Sequence, residues 1–231
     1  MLSRVLGAVS LSFMAVGVTC LSLFAVATVD ASYSARAATS AFDRLRQQVM
    51  QEQPDQELWS DGRRAGYMES LAAEFDAPPA LLRIPAIDLT VPVFEGTSEL
   101  VLNRGVGRIE GTARLGSDGN VGIAGHRDGY FRGLKDLQPG SVIEVETLEG
   151  PAVYRVSDIT IVYPEDVYVL DPTDEPAITL VTCYPFYFVG HAPQRYIVRA
   201  VLDDGRTLLS ERGVDRISPQ PINTRSTRSE E

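Results

Sequence analysis

The fold is indicated most strongly by a series of short apolar or alternating runs between about Pro78 and Asp204. These runs are separated by Gly, Pro and Asp, and they read LLRIPAIDLTVPVF, NVGIAGH, SVIEVETL, AVYRVSDITIVY, AITLVTC and RYIVRAVL. Short strands with turn residues between them are typical of an antiparallel β barrel or sandwich. Only one short helix is expected among them, around Tyr130 to Leu137. The sequence therefore predicts an all-β domain.

A second feature is an uncharged run from Val5 to Val29, which follows Arg4. A membrane-spanning helix needs about 20 apolar residues, whereas the apolar part of a signal peptide has about 7–15. The length predicts that residues 1–30 form a retained, single-pass anchor in the plasma (inner) membrane. The basic residue before the run favours a cytoplasmic N terminus, with the rest of the chain outside the cytoplasm. A signal cleaved near Ala31 is the alternative.

The remaining chain divides by composition into three parts. Residues 31–77 are polar, with apolar residues at helical spacing from Phe42 to Val49, and we interpret them as a partly helical spacer. Residues 78–204 hold the predicted β domain. Residues 205–231 are polar and are predicted to be a flexible tail.

Composition excludes several classes of function. The net charge of −10 and the pI of about 4.8 argue against a nucleic-acid partner, because such a protein needs a basic surface. No Cys or His residues have zinc-like spacing, and there is no phosphate-binding glycine loop. No cofactor and no metal are predicted.

Three reactive side chains stand at the ends of predicted strands. Cys183 ends one run just before Tyr184-Pro185, His126 ends another, and Arg195 opens a third. The other cysteine, Cys20, lies inside the uncharged run, so it is not expected to pair with Cys183. A rigid sheet that presents polar groups at its rim is a common way to build a site.

These residue types suit nucleophilic catalysis. A thiolate is a strong nucleophile, an imidazole can pass protons, and a guanidinium stabilises an oxyanion. The spacing alone does not show that the three side chains meet. It leaves open an inert buried thiol at Cys183, and it makes a zinc site built from Cys183 and the two histidines improbable.

Several of these stretches resemble the sortase family. TLVTC (Thr179–Cys183), twelve residues before Arg195, resembles the strand that carries the sortase nucleophile, and VGIAGHRDGYFRGLKDL (Val121–Leu137) resembles the histidine segment. LLRIPAIDLTVPVFEGTS (Leu81–Ser98) is similar to the opening strands, and GVGRIEGTARLGSDGN (Gly105–Asn120) to the segment before the histidine. The resemblance extends from about Pro78 to Leu202. The run CYPFYFVGHAPQRYIV is most similar to class D sortases of the proteobacterial type.

The resemblance implies an eight-stranded β-barrel with short helices and a Cys-His-Arg transpeptidase. By position, Cys183 corresponds to the nucleophile, His126 to the general acid and base, and Arg195 to the group that stabilises the oxyanion or positions the substrate. The implied substrate is a secreted protein with a C-terminal, LPxTG-like sorting signal, which is cleaved between Thr and Gly. The implied acceptor is an amine of unknown identity, or water.

Some residues keep two interpretations. Thr182 is expected either to bind the substrate backbone or to point away from Cys183 as a β-branched strand residue. His191 either contacts the substrate or is a solvated loop residue, and Arg199 is interpreted as a packing or ion-pairing residue. An acidic cluster could bind calcium but better fits a solvated loop; it contains Glu165, Asp166, Asp171, Asp174 and Glu175.

Two other functions remain open at the level of sequence. One is another thiol-dependent envelope enzyme such as an L,D-transpeptidase, although its Ser-x-Gly-Cys motif does not fit Leu180–Cys183. The other is a non-catalytic, membrane-tethered β domain that binds a partner.

Overall fold

The computed structural model describes residue 14 and residues 17–24, 39–187, 190 and 192–203. Most of the predicted anchor (1–30), His191 and all of the predicted tail (205–231) lie outside the described residues. Within the described part of the chain, no helix has the length and apolar character needed to cross a membrane.

Eight strands form the closed β-barrel that the sequence predicts. Going round the barrel, the strand order is β1-β2-β3-β4-β7-β8-β6-β5. The strands are β1 (Ala80–Ile84), β2 (Leu89–Glu95), β3 (Val106–Arg108), β4 (Asn120–Ala124), β5 (Val142–Thr147), β6 (Gly150–Val162), β7 (Ala177–Tyr184) and β8 (Gln194–Leu202). Closure leaves the barrel without a free sheet edge.

The prediction that all strands pair antiparallel is wrong for two pairs. β2 pairs with β3 and β4 pairs with β7 in parallel, while the other pairs are antiparallel. Parallel neighbours need a crossover connection. A short helix lies between β2 and β3, and the β5–β6 hairpin lies between β4 and β7. The run lengths and turn residues in the sequence do not reveal which strands are neighbours, so they could not reveal these directions.

The barrel core is built from alternating strand positions. On β7, Ile178 and Leu180 belong to the buried core, and on β8 so do Val198 and Ala200. Because successive side chains point to opposite faces, Cys183 lies on the outer face of β7. The proposed chemistry is therefore placed outside the barrel wall and not in its interior.

Helices accompany the strands, and there are more of them than the sequence predicted. We label the helix at 39–51 α1, Asp61–Ser70 α2 and Glu99–Arg104 α3. The predicted helix near Tyr130 is a 3₁₀ helix, Tyr130–Asp136, and further short 3₁₀ turns cover Pro85–Ile87 and Val167–Leu170.

Helix α3 was missed because six residues are too few to show helical periodicity. Its local signal is the side chain of Ser98, which accepts a hydrogen bond from the backbone N–H of Val101 as an N-cap.

Candidate active site

The three reactive side chains converge because of the directions of their strands. β4 and β7 are parallel neighbours, so their C-terminal ends lie at the same rim of the barrel. β8 is antiparallel to β7, so its N-terminal end lies at that rim as well. His126 follows the end of β4, Cys183 stands near the end of β7, and Arg195 is near the start of β8. Topology therefore brings together three residues that are far apart in the chain.

Cys183 and Arg195 are direct partners across the β7–β8 ladder. Residues directly opposite each other in an antiparallel pair project on the same face. The Arg195 Nη1 donates hydrogen bonds to the carbonyl oxygens of Ala192 (3.2 Å) and Gln194 (3.0 Å). These bonds restrain the guanidinium beside the partly buried thiol.

His126 is held next to β7 by the residue before it. The N–H of Gly125 donates to the carbonyl of Val181 at 3.1 Å, which extends the β4–β7 pairing beyond Ala124. The hydroxyl of Thr182 donates to the carbonyl of Gly125 at 2.7 Å. If the parallel register of Ala124 with Val181 is continued by two residues, His126 falls beside Cys183.

A cavity of about 640 Å³ joins these groups at the rim. It is lined by Ser60, Arg63, His126, Arg127, Asp128, Arg132, Cys183, Phe186, Tyr187, Gly190, Ala192 and Arg195. Four arginines and one carboxylate make the lining cationic, although the chain as a whole carries a net charge of −10. Such a lining favours groups that develop negative charge, for example the oxyanion of acyl transfer.

The environment of His126 favours the neutral imidazole. Burial lowers the pKa of His126 below 6.5, the nearby Arg63 charge lowers it further, and Glu99 and Asp128 oppose the shift. The Nε2 atom is buried and has no hydrogen bond among the described residues, but it lies 3.4 Å from Glu99 Oε1. A neutral imidazole is the form that can accept a proton from a thiol.

Asp128 is the only carboxylate that lines the cavity among the described residues. Burial acts to raise the pKa of its carboxyl, but hydrogen bonds and the charge of Arg63 outweigh burial, so the pKa lies below 3.8. Ser60 Oγ donates to Asp128 Oδ2 at 2.7 Å, and Arg63 Nε donates to Oδ1 at 3.3 Å. Asp128 is thus held as an anion beside His126.

Sequence reasoning missed the residues that follow the histidine. Arg127 Nη1 donates to the carbonyl of Pro185 and Nη2 to that of Gly190, both at 2.9 Å. It therefore ties the histidine segment to the loop that follows Cys183. The signal was present in the run His126–Gly129, where two charged residues directly follow a histidine at a strand end.

Other predicted residues have different positions. Thr182 is 2% exposed and points into the barrel, where its hydroxyl binds the carbonyl of Gly125 instead of facing the cavity. Arg199 stands opposite Thr179, four residues along β8 from Arg195, and does not line the cavity. No three His, Cys, Asp or Glu residues within the described ranges are grouped so that they could hold a metal ion, and this includes the acidic cluster.

Comparison with known proteins identifies the family. The sortase domain family matches residues 82–203, which is more than half of the chain. The chain is 32% identical over 130 residues to Sortase D of Bacillus subtilis (strain 168), covering 56% of this chain and 66% of that protein. It is 37% identical over 149 residues to Sortase SrtE1 of Streptomyces coelicolor, covering 56% of this chain and 41% of that protein.

Solved structures give the same result. A Clostridium perfringens Sortase D5 transpeptidase matches with a TM-score of 0.51 and 28% identity, covering 72% of this chain and 96% of that one. Sortase A from Corynebacterium diphtheriae matches with a TM-score of 0.53 and 27% identity, covering 74% and 84%.

This protein belongs to the sortase family, as its sequence predicted, and it has class D-like neighbours within that family. The chain spans two thirds or less of the length of these two curated relatives. The proteobacterial type stays a prediction.

Proposed function

We propose that the protein is a sortase-type cysteine transpeptidase in which Cys183 is the nucleophile, His126 the general acid and base, and Arg195 the oxyanion-stabilising group. The observation that carries this proposal is that all three side chains line one cationic cavity at one rim of the barrel. Membership of the sortase family supports it independently.

In the first half-reaction, the Cys183 sulfur attacks the carbonyl carbon of the peptide bond while its proton passes to His126. The carbonyl oxygen becomes an oxyanion, which the Arg195 guanidinium stabilises by charge and directional donors. The intermediate collapses as the C–N bond breaks, and the leaving amine takes the proton from His126. The products are a thioester on Cys183 and a free amine.

In the second half-reaction, an amine attacks the thioester carbon and gives its proton to His126. The C–S bond then breaks, and the thiol of Cys183 recovers the proton. The net change replaces one amide bond with another. Water in place of the amine yields a carboxylic acid, so hydrolysis is the side reaction of the same site.

The proposed substrate is a secreted protein whose C-terminal sorting signal is LPxTG-like and is cut between Thr and Gly. The proposed location is the outer side of the plasma (inner) membrane, with residues 1–30 as a single-pass anchor. Support for the anchor comes from the uncharged run Val5–Val29 behind Arg4.

Mass spectrometry of the intact protein after mixing with a sorting-signal peptide tests the chemistry. We expect a thioester adduct on Cys183 that is lost on addition of hydroxylamine, and no adduct with Cys183→Ala. Cys20→Ala is the matched control and should form the adduct normally, because Cys20 lies far outside the cavity in sequence and does not line it. An adduct that persists in Cys183→Ala would refute the assignment.

A reporter fusion tests the proposed location. A reporter joined after Leu202 should be active only outside the cytoplasm, and activity inside would contradict the topology. A mature N terminus near Ala31 would show that the run is a cleaved signal.

A further inference from the structure

Helix α2 lies before the segment that matches the sortase family, yet it supplies part of the cavity. Ser60, which caps the helix, and Arg63, in its first turn, both line the cavity with His126 and Cys183. The family match begins at residue 82. Residues outside the family match therefore form part of the candidate site.

Arg63 joins three separate elements around the histidine. Its side chain is only 15% exposed. Nη1 donates to Glu99 Oε1 at 3.1 Å and also to Asn103 Oδ1, both on α3. Nε donates to Asp128 Oδ1 in the loop after β4. A guanidinium suits such a position because its donors point in fixed directions from one plane.

The two carboxylates that Arg63 holds are the ones that face His126. Glu99 Oε1 is 3.1 Å from Arg63 Nη1 and 3.4 Å from His126 Nε2. Asp128 is two residues after His126 and is bound from the other side by Ser60. The charged groups that act on the imidazole are thus Arg63 from α2, Glu99 from α3 and Asp128 from the loop, and the Cys183 thiol of β7 lines the same cavity.

The docking of α2 is specific and not a loose contact. Trp59 is buried and packs edge-to-face on Tyr130 (4.9 Å between ring centres) and on Tyr67 (5.9 Å). The hydroxyl of Ser60 accepts from the N–H of Arg63 while it donates to Asp128. The start of the helix and its attachment to the histidine loop therefore depend on the same side chain.

We propose that Arg63 is a positioning residue for transpeptidation, which holds Glu99 and Asp128 in place around His126 and so fixes the orientation and charge state of the imidazole. This inference rests on the proposed role of His126. If α2 only covered apolar barrel surface, the packing of Trp59 and Tyr67 would suffice. That packing does not account for a mostly buried arginine bound to two carboxylates and an amide. Buried charges are retained in proteins where they are paired.

The charges of Arg63 and Glu99 shift the pKa of His126 in opposite directions. The Arg63 charge lowers the pKa of His126, and Glu99 raises it. Removal of Arg63 should therefore raise the pKa of His126, and removal of Glu99 should lower it. A purely structural role of α2 predicts no such opposite pair of shifts.

The experiment is a titration of the histidines by NMR on the full-length chain with isotope-labelled histidine. The chain has only two histidines, and His126→Gln assigns their signals. We expect Arg63→Gln to raise the His126 pKa, Arg63→Lys to keep it near the wild-type value, and Glu99→Gln to lower it. Arg64→Gln is the matched control on the same helix, because the Arg64 side chain binds the carbonyl of Trp59 and the carboxylate of Asp61.

Peptide-cleavage kinetics complete the test. Arg63→Gln should lower kcat by up to about 100-fold, since misplacement of a catalytic group has effects of this order, and it should change KM less. Arg63→Lys should recover part of this loss, because it restores the charge without the fork of donors.

The outcomes separate this inference from the proposed function. If wild type forms no thioester but the opposite pKa shifts occur, the proposed chemistry fails and the link between Arg63 and His126 stands. An unchanged His126 pKa and unchanged kcat in a folded Arg63→Gln protein overturn the inference while the transpeptidase stands. If Arg63→Gln does not fold, Glu99→Gln decides alone: its carboxylate is 71% exposed, and an unchanged His126 pKa would overturn the inference.

Discussion

Cys183 and Arg195 are direct cross-strand partners at the rim of the barrel, so their side chains leave the same outer face of neighbouring strands. Arg199 occupies the same face but is opposite Thr179, further down the ladder. The pairing thus distinguishes two arginines that are only four residues apart. This pairing predicts that Arg195 takes part in the reaction at Cys183 and that Arg199 does not.

We expect Arg195→Ala to lower kcat/KM by about 10²–10³, which is the usual effect of losing one oxyanion donor. Arg195→Lys should recover part of the rate, since an ammonium cannot reproduce a planar fork. Arg199→Ala should change the rate little. Cleavage kinetics measure the rates, and melting curves show whether each variant is still folded. Equal rate losses at the two positions with unchanged melting would contradict the assignment.

The hydroxyl of Thr182 links the nucleophile strand to the histidine segment through the carbonyl of Gly125. Thr182→Val keeps the shape but leaves that buried carbonyl without this donor, so we expect the free energy of unfolding to fall by about 1–3 kcal/mol. The rate should fall as well, because Gly125 directly precedes His126. Thr182→Ser retains the hydroxyl and should stay close to wild type in both denaturant unfolding and cleavage assays. A Thr182→Val protein with wild-type stability and rate would show that the bond is dispensable.

Gly125 is required by its close approach to Phe131. A Cβ at Gly125 would lie 2.6 Å from Cδ2 of the Phe131 ring, which is fully buried and cannot move aside easily. We expect Gly125→Ala to destabilise the protein by about 1–3 kcal/mol and to reduce cleavage, as the histidine segment is displaced. Gly62→Ala is the control, since a Cβ there meets nothing within 4 Å. Thermal melting of the two variants provides the comparison, and similar melting of both would argue against the clash.

Asp128 should make stability depend on pH in the acid range. Its pKa is lowered in the folded protein, so the ionised carboxyl stabilises the fold above its unfolded pKa of about 3.8. This stabilisation is lost as the pH falls through the folded pKa. Wild type should therefore exceed Asp128→Asn in Tm near pH 6, and the difference should shrink below about pH 3.8.

Melting curves across this pH range test the effect of Asp128. Asp174→Asn, at an exposed position, is the control and should show no such pH-dependent difference. A constant gap in Tm between wild type and Asp128→Asn at all pH values would contradict ionisation as the cause.

Sequence alone is enough to predict the all-β domain, the strand ends that carry Cys183, His126 and Arg195, and membership of the sortase family. These features depend on local alternation of apolar residues and on short motifs, which are contained in neighbouring residues. The sequence also predicted a short helix around Tyr130 to Leu137, and the structure has a 3₁₀ helix at Tyr130–Asp136. Helix α3 was too short for its periodicity to be recognised.

Which residues meet depends on how the strands and helices pack together. The parallel pairing of β4 with β7 and the antiparallel pairing of β7 with β8 place the histidine, the thiol and the arginine at one rim. The packing of α2 adds Arg63, which is 63 residues before His126 in the chain and shows no motif of its own. Such contacts depend on the relative positions of whole elements, and therefore on side chains distributed over the entire barrel. No local pattern in the sequence encodes them, and this is why Arg63 and Glu99 emerge only from the folded protein.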